Sequence, residues 1–366
     1  MKLWKTLPAL LLALALTLSL TACAAKPEST PAPAETQSPG ETGKNRTVIF
    51  KDSTGREVEV PAEIRRIAVT GPLAQTVVFA LAPDMLVGLS SAFPESAKGF
   101  IDEKYLELPV LGHLYGTKGD LNLETLLDSE PQVVIDIGET GGKVGADMDE
   151  LSSQTGIPFV HISASIDNMS RTYDMLGELL GRKSEAKALG DYCDEIYRRV
   201  TEIAGSVHKV GILYCLGDKG LNVIARGSYH SEAIDLIADN RAVVATPSSK
   251  GTGNEVDMEQ ILNWDPEVIV FAPESIYETV SGDPAWQKLR AISSGRYYEV
   301  PNGIHNWMGF PPSVQRYMGM LWLTKILYPE EATYELYGEI QRYYELFYHC
   351  ELTVEQYNSL MKNSLG

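Results

Sequence analysis

Cysteine is scarce in this chain. Only four occur in 366 residues, at positions 23, 193, 215 and 350, with no Cys-x-x-Cys and no Cys/His cluster. That spacing encodes neither a zinc knuckle nor a disulfide framework. The six histidines are scattered, none at i+2, i+3 or i+4 from another, so a His-rich site for a bare metal ion is not encoded either. Basic residues are outnumbered, 31 Lys plus Arg against 49 Asp plus Glu, for a formal charge of −18. Such a balance argues against a nucleic-acid binder, which needs a basic face to track phosphates. No Gly-x-Ser-x-Gly, Gly-x-x-x-x-Gly-Lys-[Ser/Thr] or His-Glu-x-x-His occurs, which removes the commonest enzyme signatures. The glycine-rich stretch over 138–145 lacks the Gly-x-Gly-x-x-Gly spacing, and Glu139 within it would repel an anion. It reads as a rim loop. No apolar run is long enough to span a bilayer. The run over 7–20 has fourteen residues where ~20 are needed.

What is present begins with that short run. Lys2 and Lys5 precede it and Leu20-Thr21-Ala22-Cys23 ends it, the pattern of a signal peptide closed by a bacterial lipobox. Residues 1–22 are expected to be removed and Cys23 to carry a diacylglyceryl anchor, two acyl chains sufficing for stable attachment to a membrane. Residues 23–46, rich in Pro, Glu, Thr, Ser and Gly, read as a solvated tether. The remainder, with the whole chain 44% hydrophobic and 22% charged, suits an ordinary globular core.

After the tether, β-rich runs at 66–70, 109–111, 132–137 and 159–162 alternate with helical stretches at 74–81, 122–127 and 146–154. The alternation resumes with runs at 209–216, 221–225, 242–245, 268–271 and 296–300. Alternation of this kind predicts parallel sheets with helices on both faces. Between the halves, 184–204 carries Leu189, Cys193, Ile196, Val200 and Ile203 on one stripe, with Ser184 to cap and Gly205 to stop it. A helix of that length is a strut of about 30 Å. Cys193 and Cys215 read as packed thiols.

An internal repeat relates the halves. Asn122-Leu-Glu-Thr-Leu-Leu-Asp-Ser-Glu-Pro-Gln-Val-Val-Ile135 lies on Asp257-Met-Glu-Gln-Ile-Leu-Asn-Trp-Asp-Pro-Glu-Val-Ile-Val270 at a constant offset of 135. Each copy reads as an Asx cap, a helix, an acidic-Pro turn and a buried strand. Expected boundaries are 47–183 for a first α/β lobe, 184–205 for the strut, 206–330 for a second lobe and 331–366 for a C-terminal helical segment.

These residues carry a family resemblance. Together with Phe50-Lys-Asp-Ser-Thr-Gly-Arg-Glu-Val-Glu-Val-Pro61, Leu86-Val-Gly-Leu-Ser90, Val300-Pro-Asn-Gly-Ile-His-Asn-Trp307 and the stretch over 319–329, the repeat resembles the class III substrate-binding proteins of bacterial ABC importers. That family includes iron-siderophore, haem and vitamin B12 binding lipoproteins. The resemblance implies two Rossmann-like lobes joined by one long α-helix, with the ligand in the cleft between them. It implies an Fe(III) complex as cargo, no enzymatic activity, no resident cofactor, and a permease dimer with its ATPase as partner. It also implies that Glu124 and Glu259 meet arginines on that permease. A molybdate or tungstate binder of the same fold, and a surface enzyme on a bilobal scaffold, are the alternatives.

In doubly wound lobes ligands lie beyond the carboxyl ends of strands. The candidate ligand residues are therefore Gly71, Pro72, Phe93, Tyr115 and Lys118 in the first lobe, and Arg226, Tyr229, His230 and Trp307 in the second. Stacking and charged hydrogen bonds from this set would grip a flat or oxygen-rich ligand. Met308 stands after Trp307 where siderophore and corrinoid binders often place an Arg or an acid. Lys118 and Lys250 suit an anionic ligand. Trp264 and Trp322 read as core.

Overall fold

A computed structural model describes residues 46–114, 120–309 and 311–365. The leader, Cys23, the tether up to residue 45, Tyr115 and Lys118 lie outside the described residues. An antiparallel hairpin comes first, β1 (Thr47–Lys51) on β2 (Glu57–Pro61). The first lobe then places β3 (Ile67–Val69), β4 (Val133–Gly138) and β5 (Phe159–Ser163) side by side and parallel, in register Ile67↔Val133 and Val134↔Phe159. These strands are almost wholly buried, which is why they read as continuous apolar runs. Around them lie α1 (Pro72–Leu81), α2 (Glu103–Leu106), α3 (Leu123–Asp128), α4 (Val144–Thr155) and α5 (Met169–Leu180). Single bridges Ile67↔Leu86 and Leu89↔Val110 extend the sheet. The strand expected at 109–111 is no more than that bridge. Gly112, at φ 83, turns the chain away so tightly that a Cβ there would sit 2.3 Å from the Asp120 carbonyl oxygen.

The expected strut is α6 (Lys183–Ser206), 24 residues long. Leu189, Cys193, Ile196 and Val200 are fully buried along it, packed against α5 on one side and α11 (Arg316–Leu327) on the other. Two details differ from expectation. Ser184 does not cap the helix, because its hydroxyl turns to the Glu185 carboxylate, and Gly205 lies inside the last turn rather than ending it.

In the second lobe β6 (Gly211–Leu216) is central, with β10 (Val268–Phe271) and then β11 (Tyr297–Glu299) parallel on one side. Its other edge is shared. β8 (Asp239–Asn240) pairs parallel with the start of β6, and β7 (Asn222–Val223) pairs antiparallel with its end and with β9 (Asn254–Glu255). That sharing leaves no partner for the strand expected at 242–245 and shortens the one expected at 221–225. Helices α7 (Glu232–Ile237), α8 (Met258–Trp264), α9 (Tyr277–Val280) and α10 (Arg290–Ser293) complete the lobe.

The two repeat copies form matching structures. Asn122 Oδ1 accepts from the Thr125 amide at 3.0 Å and Asp257 Oδ1 from the Gln260 amide at 2.8 Å, capping α3 and α8. Strands β4 and β10 follow. The chain is thus α/β, two Rossmann-like lobes joined by one long helix with the cleft between them.

The last segment belongs to both lobes. It comprises α12 (Leu336–Tyr343), a π-helical turn over Tyr344–Tyr348 and α13 (Val354–Leu360), the last with a Thr353/Gln356 capping box. Tyr344 and Phe347 pack edge-on against Phe100 and Tyr173 of the first lobe. Near the end, the Ser364 carbonyl accepts from the indole of Trp322, and its hydroxyl donates to the Glu299 carbonyl, both at 2.7 Å in the second lobe.

Candidate ligand cleft

The carboxyl ends of the first lobe's strands converge on the seam. Gly71 is the N-cap of α1 and Pro72 its first residue, where the missing amide hydrogen costs nothing. One residue on, the Leu73 carbonyl accepts a 3.4 Å hydrogen bond from Ser313 of the other lobe, so Gly71 and Pro72 sit against the seam. Gln75 fixes the next loop. Its Oε1 accepts from the Ser90 amide (2.7 Å) and hydroxyl (2.8 Å), and its Nε2 donates to the Ser91 carbonyl. Phe93, just beyond, packs edge-on to Phe79 at 5.3 Å and lies 6.4 Å from the His305 ring across the seam. The Ser96 hydroxyl donates to the Gly303 carbonyl at 2.8 Å beside it.

On the second lobe a cavity of about 540 Å³ opens at the carboxyl ends of β6 and β10, lined by Gly217, Asn222, Thr252, Glu274, Asn302 and Asn306. The loops over 248–253 and 306–312, both candidates for the cleft from sequence, supply Thr252 and Asn306, while none of the singly named ligand residues lines it. A larger groove, about 690 Å³, lies behind α6 among Arg199, Glu202, Tyr334 and Glu335. It is lined by α6, α12 and the segment before α12, with no strand residue, whereas the smaller cavity lies at strand ends.

His305 stands between these walls. Its Nε2 is buried without a hydrogen-bond partner, and burial pushes the imidazole from 6.5 down to about 4. The unfolded chain therefore takes up a proton near pH 6.5 that the folded protein refuses until about pH 4. Stability is expected to fall as pH drops through that window and to level off below it. Urea midpoints at pH 7 and pH 5 check this, and His305→Gln should remove part of the decline.

Two sequence expectations are corrected here. Arg226 faces away from the cleft, toward the amino-terminal edge of the sheet, where its guanidinium holds Asp239 and the Asn240 carbonyl. The loop that carries it runs back along β6, since β7 is antiparallel. Trp307 is fully buried, with its carbonyl lying so close to Gly319 that a Cβ there would meet it at 2.3 Å. It packs within the core, its indole Nε1 buried without a hydrogen-bond partner.

Tyr229 and His230 do reach the seam. The Tyr229 hydroxyl donates to the Ala164 carbonyl of the first lobe at 3.0 Å, and desolvation raises its phenol to about 12. His230 lies 3.3 Å from the Gly309 carbonyl through Nδ1, and its imidazole is lowered chiefly by burial.

Between them stands a residue that sequence reading passed over. Arg316, the first residue of α11, is wholly buried. Its Nη1 donates to Glu232 at 2.7 Å and to the Tyr229 carbonyl at 3.1 Å, while the guanidinium stacks 5.1 Å from the Tyr229 ring. Nε and Nη2 have no partner. Those two nitrogens form the side-on edge that takes an oxyanion in two parallel hydrogen bonds. Among the described residues, no cluster of His, Cys, Asp and Glu has the makings of a metal site.

Two lobes, a rigid connecting helix and polar groups facing each other across a seam define a bilobal solute-binding protein. The chain belongs to the periplasmic binding protein family, whose signature matches residues 78–303. It is 22% identical over 329 residues to the molybdate-binding protein MolA of Haemophilus influenzae, covering 82% of this chain and 90% of that one. The molybdate-bound structure of MolA superposes with a TM-score of 0.65, covering 84% of this chain and 99% of MolA. An ABC transporter solute binding protein from Sulfurospirillum deleyianum superposes more closely, with a TM-score of 0.78 at 26% identity over 86% of this chain and 99% of that one. The haem uptake protein IsdE of Staphylococcus aureus is 23% identical over 152 residues, 38% of this chain and 51% of IsdE. The family consists of binding proteins that work outside the cytoplasm, and no helix among the described residues is long and apolar enough to cross a membrane.

Proposed function

We propose that this protein is the lipid-anchored ligand-capturing component of an ABC importer, held to the membrane through Cys23, and that its ligand is an anion gripped at the lobe seam. The unpartnered side-on edge of Arg316 carries the reading. A buried guanidinium with two free donors is costly unless something that accepts from both arrives. The near full-length similarity to MolA favours a compact oxyanion. A larger metal complex, an iron siderophore, a haem or a corrinoid, is the second reading, favoured by the 540 Å³ cavity beside the seam.

Titration calorimetry of the full chain with molybdate, sulfate, phosphate and ferric chelates tests the proposal. Arg316→Gln should weaken the binding anion at least a hundredfold, since a lost charge-assisted pair in a closed site is worth roughly 3 kcal/mol or more. Unchanged affinity would show that the ligand sits elsewhere.

A further inference from the structure

A chain of polar groups crosses the carboxyl edge of the first lobe's sheet without touching Arg316. The Thr70 hydroxyl donates to Oδ1 of Asp136. Oδ2 of Asp136 lies 2.6 Å from Nδ1 of His161, and Nε2 of His161 lies 2.9 Å from the Thr140 hydroxyl. Asp136 and His161 are 3% and 1% exposed, whereas Thr140 is exposed. Its neighbour Glu139 lines the groove between the lobes with Tyr229 and Glu232, the same two residues that hold Arg316.

The direction of the hydrogens follows from the buried end. An ionised carboxylate only accepts, so Asp136 takes the Thr70 hydrogen on one oxygen and the His161 Nδ1 hydrogen on the other. In the neutral imidazole that leaves Nδ1 with the proton and Nε2 with a lone pair. Thr140 then spends its single hydrogen on Nε2. What its oxygen then leaves free, one residue from the groove-lining Glu139, is lone pairs alone.

We infer that Thr140 is a ligand-contacting hydroxyl that can only accept, so the cleft selects a ligand presenting an O–H or N–H at that point. Asp136 and His161 are positioning residues that set this polarity. The inference rests on the anion reading above and sharpens it: the favoured oxyanion is one that still carries a proton at neutral pH. A fully deprotonated oxyanion would set its oxygens against the lone pairs of Thr140 and the carboxylate of Glu139, as a site built for a donor rejects a ligand that lacks one.

The test compares phosphate and arsenate, protonated at neutral pH, with sulfate and molybdate, which are not, by calorimetry on the full chain. The protonated pair should bind at least tenfold more tightly. Thr140→Val should erase the preference and Thr140→Ser keep it. Molybdate or sulfate binding as well as phosphate, or an undiminished preference in Thr140→Val, overturns the inference. Nitrogen-15 NMR of His161 reads the tautomer without any ligand: a protonated Nδ1 with a bare Nε2 upholds the acceptor assignment, and a protonated Nε2 overturns it. If none of the four anions binds, the anion reading fails, while the tautomer still decides the polarity of Thr140.

Discussion

The double reversal Glu124→Arg with Glu259→Arg is expected to abolish uptake while leaving ligand affinity and folding in place. Both residues are exposed, each in the first turn of a capped helix, α3 in one lobe and α8 in the other. Neither makes an ion pair with a described residue, so their charges are free for a partner. Favourable interaction with the helix dipole gives each a local role worth about 0.3–1 kcal/mol, too little for its loss to unfold the protein. The repeat adds what a dipole does not explain, the same acid at the same place on both lobes. An importer with a two-fold permease needs that pairing, and charges at such a rim speed encounter and fix register. Each single Glu→Ala change should lower uptake, and the double reversal should set like charge against like at both ends of the interface. Uptake in cells, with calorimetry and a thermal melt on the same variants, checks the claim. Normal uptake by a properly expressed double reversal would reduce both glutamates to helix-start acids.

The placement of those glutamates at two matching helix starts was legible because the unit that carries them is local. Asx cap, short helix, acidic-Pro turn and apolar strand all lie within fourteen consecutive residues, and the structure returns each piece in both copies. The long helix was legible for a similar reason, its stripe of Leu189, Cys193, Ile196 and Val200 being a periodicity within one element. Arg316 was not legible. In sequence it opens an apolar helix, and only the fold brings Tyr229, Glu232 and the Gly309 loop around it. Arg226 misled for the converse reason. A cation in a loop after a strand suggests a ligand contact, but the antiparallel strand leaves Arg226 at the opposite edge, where Asp239 waits, while Tyr229 and His230 further along the loop reach the seam. Strand-end logic locates a site in a parallel sheet and fails wherever one strand runs backward.

The C-terminal segment shows the same limit at larger scale, and it carries the second large expected effect. Phe347→Ala should lower stability by about 3–5 kcal/mol, the usual cost of emptying a packed aromatic site. Phe347 is 1% exposed, stacked on Tyr343 with ring centroids 4.3 Å apart and planes 3° from parallel. It also meets Tyr192 of the connecting helix at 5.4 Å and Tyr173 of the first lobe at 6.2 Å. One ring thus ties the terminal segment to the strut and to a lobe, while Ser364 ties the same segment to the other lobe. Loss of the ring should therefore lower one cooperative transition rather than release a lobe alone, because the segment's packing is shared. Phe347→Leu, which keeps most of the volume, should lose less than the alanine variant. Differential scanning calorimetry distinguishes the cases. A single transition displaced by several degrees is the expected result, and an unchanged midpoint in Phe347→Ala would show that residues 331–365 decorate the lobes without holding them together.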